Sequence, residues 1–133
     1  MDHNQCMTKP LSRMKADEIK ACTNKLLYNP AKSQTDRELL SIIILKEKEH
    51  HLDFLQGFTK IKAVGTWQDI KGGRIIKTYP NERNTKIEVE FRDTKKETVG
   101  NRLMDIFTEL NKREIGEDLL YVRSASIEES TLP

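Results

Sequence analysis

Only two of the 133 residues are cysteine, four are proline and six are glycine, and aromatic residues make up 6% of the chain. Cysteine this sparse excludes a disulfide-dense scaffold, and the low glycine and proline content excludes collagen-like and linker classes. The most apolar stretch, Leu39–Leu45, is seven residues long, against the roughly 18–20 that a membrane helix needs. The sequence begins with a polar stretch lacking the apolar segment of a secretory signal, and no N-x-S/T acceptor is present. Cys6 and Cys22 match no C-x-x-C spacing. These absences lead us to expect a reduced, cytoplasmic, membrane-free protein. An excess of one charge is missing too: 23 Lys and Arg stand against 21 Asp and Glu, a formal +2. A uniformly basic nucleic-acid arm or an acidic tail is therefore excluded.

The patterned part of the chain begins near residue 12, and residues 1–11 read as a loose N-terminal arm ahead of a single α+β domain over 12–133. Met14, Ile19, Cys22 and Leu26 lie close to one helical stripe, with Ser12 as an N-cap and Asn29-Pro30 as a stop, which predicts a helix over about 13–28. Thr35 and Glu38 have the spacing of a capping box. With Gly57 as a stop and Leu40, Ile44, His51 and Leu55 on one face, they favour a helix over 36–56. The competing reading makes the β-branched Ile42-Ile43-Ile44 a short buried strand, since periodicity does not settle short apolar runs.

From Phe58 the period drops to two. Strands are expected over 58–67 and 74–79 around a Gly72-Gly73 turn, then a loop over 80–84, then a strand over 86–92 with Ile87, Val89 and Phe91 facing the core. Thr94 and Glu97 form a second capping-box pattern ahead of a helix carrying Val99, Leu103, Phe107 and Leu110 and closed by Gly116. A last strand runs from Leu119 toward Ile127, parallel to the strand before the helix. The sum is an α+β two-layer sandwich: a mostly antiparallel four-stranded sheet with helices on one face, approaching a ferredoxin-like variant if residues 42–45 form a strand.

Chemistry is thinly represented. Glu47, His50, His51 and Asp53 make the densest group of metal-ligand types, but two ligands per helix face fall short of the three or four a metal site needs. There is no H-E-x-x-H, no G-x-S-x-G and no phosphate-binding glycine loop, and the sequence leads to no catalytic residue, metal ligand or cofactor. The hairpin stands out instead. Residues 59–84 carry Lys60, Lys62, Lys71, Arg74, Lys77 and Arg83 against Asp69 and Glu82, six cations to two anions. Lys60, Lys62, Trp67, Lys71, Arg74, Lys77 and Tyr79 are the candidate binding residues. A basic ribbon with Trp67 and Tyr79 suits an acidic protein surface or a second copy of the chain. The alternative is a nucleic-acid backbone with stacked bases. Trp67 shares parity with Ile61 and Ala63, which favours a core position over a stacking platform. Outward-facing Glu88 and Glu90 offer an acidic stripe to a partner's hairpin, and Ile76 and Tyr121 are further contact candidates. The expected function is non-enzymatic binding.

Overall fold

The computed structural model describes residues 1–28, 36–94, 96–118 and 120–127, with the main chain but not the side chain of Trp67. Helix α1 (His3–Thr8) and a 3-10 turn (Leu11–Arg13) precede helix α2 (Ala16–Leu27). Strand β1 (Asp36–Leu45) runs into a 3-10 helix (Lys46–Leu52), followed by strands β2 (Thr59–Lys71) and β3 (Arg74–Asp93). Helix α3 (Thr98–Leu110) continues through a π-helical turn (Asn111–Ile115) to strand β4 (Tyr121–Ser126). The sheet has the order β2-β3-β1-β4, and every neighbouring pair is antiparallel. Because β3 and β4 each run antiparallel to β1, they run parallel to one another, as expected, with β1 between them.

One face of the sheet makes the core. Leu40, Ile42 and Ile44 of β1 pair with Val89, Ile87 and Thr85 of β3, and all six are buried. Ile19, Cys22, Leu26, Leu103, Ile106 and Phe107 from α2 and α3 join the same cluster. The alternate residues of β1, Leu39, Ser41 and Ile43, are only half-buried. The architecture is the α+β two-layer sandwich anticipated, with helices on one face.

The helix expected over 36–56 is a strand followed by a 3-10 helix. Leu40 and Ile44 are four apart, a spacing that suits both a helix face and alternate positions of a strand. Ile42, buried midway between them, is compatible only with period two. Thr35 lies outside the described residues. Glu38 caps nothing: it is buried on the core face and accepts a hydrogen bond from Ser126 Oγ at 3.1 Å.

The two strands expected over 74–79 and 86–92 are one strand. The pairs Gly65–Glu82 and Trp67–Tyr79 leave Pro80 and Asn81 facing the single residue Thr66. This is a β-bulge, with Asn81 at φ 53°. Proline, which has no N–H to give the ladder, and asparagine, which tolerates positive φ, are residues a bulge accommodates. The turn signal was real, but the chain uses it to bend a strand rather than to end one.

Residues 1–11 are not loose. Asp2 and Gln5 cap α1 reciprocally: the Gln5 amide donates to Asp2 Oδ1 at 2.8 Å and the Asp2 amide to Gln5 Oε1 at 2.9 Å. Cys6 and Cys22, expected to be unpaired and reduced, are buried and joined by a disulfide that ties α1 to α2. The Arg102 guanidinium donates to the carbonyls of Cys6 and Lys9, and that of Arg113 to the carbonyls of Leu11 and Met14. Helix α2 starts at Ala16, where the Lys15 amide donates to Glu18 Oε1, and Ser12 plays no capping role.

Nor does the Thr94–Glu97 pattern cap α3. Glu97 sits at φ 53°, and Asp93 at the end of β3 does the work. Its carboxylate accepts from the amides of Thr94, Val99 and Gly100.

Candidate functional site

Strand β1 ends at Leu45, opposite Asn84. Beyond that point β2 and β3 continue together over residues 64–71 and 74–83, with no third strand among the described residues. Eight residues at the strand rise make a two-stranded ribbon extending roughly 25 Å past β1. Its tip is a two-residue loop in which Gly72 and Gly73 take φ of 58° and 76°, the left-handed pair that a tight hairpin with right-handed twist demands. Lys71 and Arg74 pair on either side of the loop.

The ribbon exposes apolar side chains. Val64, Ile70, Ile75 and Ile76 are between 56% and 72% exposed, and Ile70 pairs directly with Ile75 across the two strands. Among the described residues no second layer covers this pair of strands, so these side chains face solvent. The opposite parity carries a polar cluster: Tyr79 donates its hydroxyl to Asp69 at 3.0 Å, and Lys77 Nζ lies 4.6 Å from the centre of the Tyr79 ring.

The candidate binding residues therefore separate into three groups. Lys71 and Arg74 are at the tip. Lys77 and Tyr79 are in the middle with the main chain of Trp67, which pairs with Tyr79. The side chain of Trp67 lies outside the described residues. Lys60 and Lys62 are at the base, where the ribbon meets the 3-10 helix. A cleft of about 510 Å³ opens there, with Lys46, Glu49, Lys60, Lys62, Arg83 and Thr85 among its walls. Glu49 accepts from Thr85 Oγ1 and pairs with Lys60 at 3.0 Å; these two contacts, Thr85 first, hold its carboxyl below the usual carboxylate range.

The histidine pair has a structural setting. The rings of His50 and His51 lie 4.2 Å apart on the 3-10 helix, and burial, then the neighbouring His50, pushes His51 below its ordinary value. Among the described residues, no three His, Cys, Asp or Glu side chains converge as a metal site would require. No described helix is long and apolar enough to cross a membrane. The acidic stripe expected on the open sheet face is neutralised from within: Arg37 grips both oxygens of Glu90 at 3.0 Å, and Lys86 pairs with Glu88 at 3.3 Å. Of the further contact candidates, Ile76 is on the ribbon, while Tyr121 is half-buried with its hydroxyl accepting from Arg123.

Sequence reasoning located the hairpin, its charge and Ile76 as a contact candidate, but not the exposure of Val64, Ile70 and Ile75 or the ribbon's reach, because alternation does not reveal whether a second layer is present. The cleft joins Lys46 and Glu49 to residues more than ten positions along the chain, and no local pattern announces that meeting.

No family model matches the chain, and no curated protein matches it. Among solved structures, a Bacillus cereus protein described as related to NIF3 is similar at 7% identity with a TM-score of 0.49. That alignment covers 86% of this chain and 32% of the other, so the chain spans about a third of that protein's length.

Proposed function

We propose that this chain is a non-catalytic binding module that works through its β2–β3 ribbon, docking on a protein surface, in the first instance a second copy of itself. The observation that carries this reading is the exposure of Val64, Ile70, Ile75 and Ile76 on an arm that no layer of the described residues covers. Apolar side chains grouped in this way lose free energy to water at roughly 25 cal/mol for each Å² that a partner would remove, and such patches mark interaction surfaces. Lys71, Arg74 and Lys77 frame the apolar residues with positive charge; in a symmetric pair these cations repel, so the apolar surface drives the association. Symmetric pairing of two ribbons suits the free outer edge of β2, because edge strands pair readily with another chain.

Light scattering on the full chain tests the proposal. The wild type is expected to be dimeric and the Ile70→Asp/Ile75→Asp variant monomeric with unchanged circular dichroism. A wild type that stays monomeric up to its solubility limit overturns self-association. The buried Cys6–Cys22 bond suits an oxidising compartment better than the reducing one expected from the sequence; trapping free thiols in freshly isolated protein distinguishes the two.

A further inference from the structure

The cleft at the base of the ribbon is independent of the ribbon-tip reading and has its own chemistry. By strand alternation Lys60 and Lys62 lie on one face of β2, and the pairs Lys62–Thr85 and Val64–Arg83 bring Arg83 to the same face, diagonal to Lys62. Diagonal neighbours on a sheet face sit about 7–8 Å apart at their Cα atoms, and long side chains close that distance easily. Lys46 enters from the 3-10 helix on the other side of the cleft.

Among the described residues the one carboxylate lining the cleft, Glu49, is committed to Lys60 and Thr85. Among the described residues Lys62 and Arg83 have no ion pair, while Lys46 acts on the Glu49 carboxylate through space. Four cations against one anion leave the cleft with a formal +3, in a volume of about 510 Å³ that lies within the range of small-ligand sites. An adjoining groove shares Lys46, Glu49 and Arg83 and adds Glu47 and Glu82. These two carboxylates lower the combined charge to +1; Glu82, which pairs with Gly65, lies on the opposite face of β3 from Arg83, so Glu47 is the acceptor beside the cationic end.

We infer that this cleft binds a phosphorylated small molecule, its phosphate held by Lys62 and Arg83 beside Lys46 and its hydroxyl-bearing remainder by Glu47. A dianionic phosphate matches the unpaired Lys62 and Arg83, and Arg83 offers two parallel N–H groups to it. A polyhydroxyl remainder donates to the Glu47 carboxylate, whereas a nucleic-acid strand would bring a second phosphate against it.

Calorimetric titration of the full chain with glucose 6-phosphate, glucose, and a single-stranded oligonucleotide tests the assignment. Glucose 6-phosphate is expected to bind and glucose not to bind. Lys62→Ala/Arg83→Ala is expected to weaken glucose 6-phosphate at least tenfold, while Lys112→Ala/Arg13→Ala, which removes the same charge from exposed sites elsewhere, leaves the affinity unchanged. Glu47→Gln should weaken the sugar phosphate but not inorganic phosphate, titrated alongside it. The inference is overturned if glucose 6-phosphate fails to bind, if the two double variants weaken it equally, or if the oligonucleotide binds more tightly than the sugar phosphate. Circular dichroism of each variant guards against loss of fold, and because Lys62 and Arg83 are exposed, both variants should fold. Light scattering on the same samples keeps this result separate from the fate of the self-association proposal.

Discussion

Asp93 closes β3 and opens α3 with one carboxylate: Oδ2 accepts from the Gly100 amide at 2.7 Å, while Oδ1 takes the Val99 amide at 2.9 Å. Asp93 is only 2% exposed, so neither amide has water as a substitute. Asp93→Ala is expected to cost about 2–3 kcal/mol, the loss of a helix cap together with buried donors left unpaired. Asp93→Asn keeps one oxygen and should recover part of it. Urea melts of the two variants check the order, and a cost below that of an ordinary exposed substitution would contradict the role assigned to Asp93.

The Cys6–Cys22 bond closes a loop with a sequence separation of 16. A loop of that length restricts the unfolded chain by about 3 kcal/mol in the chain-entropy account. Reduction, or a Cys6→Ala/Cys22→Ala double variant, should lower the melting temperature by roughly 10 °C for a domain of this size. Helix α1 keeps its Arg102 contacts after the bond is cut, so the core helices should persist and unfolding should remain one transition. A calorimetric scan with and without reductant reads both quantities.

The contrast between Asp93 and Thr94 shows what the sequence carried and what it concealed. The helix carrying Val99, Leu103, Phe107 and Leu110, its Gly116 terminus and the alternating 86–92 segment were all legible, because each follows from a local period and a local stop signal. The cap was not, since a T-x-x-E pattern satisfies the motif whether or not the backbone places it at a helix start. Residues 36–45 failed for a related reason: Leu40 and Ile44 fit both periods, and the two strands flanking β1 come from distant parts of the chain. At the candidate site, the basic residues and the glycine turn were visible. The apolar exposure depends on β1 stopping at Leu45, a fact of topology rather than of pattern.

His51 gives the fold a dependence on pH. Burial, followed by the charge of His50, Lys20 and Lys48, lowers its pKa in the folded protein, with Glu114 opposing. The unfolded chain therefore binds the proton more readily. The contribution of His51 to stability is complete above its unfolded value near 6.5 and is lost as pH falls from there through the lower folded value. The melting temperature should decline as pH is lowered through this window, and His51→Gln should flatten the decline. A variant that reproduces the wild-type slope would assign it to other groups.

The ribbon's cations and its isoleucines make opposite predictions about salt. A nucleic-acid strand gripped by Lys62, Lys71, Arg74 and Lys77 releases counterions, and its binding constant falls steeply with salt, by close to one power for each phosphate neutralised. Self-association through Val64, Ile70, Ile75 and Ile76 buries apolar surface. It should be nearly indifferent to sodium chloride and strengthened by sulfate, with a negative heat-capacity change. We expect the dimerisation constant to vary less than tenfold across a salt series that would abolish phosphate-backbone binding. Lys71→Ala/Arg74→Ala should shift it only slightly, whereas Ile70→Asp should eliminate it, because a carboxylate placed in a desolvated interface loses its hydration. Sedimentation equilibrium over that series decides between the two: a steep loss of association with salt, removed by the lysine and arginine substitutions, would show that charge and not the exposed isoleucines drives the contact.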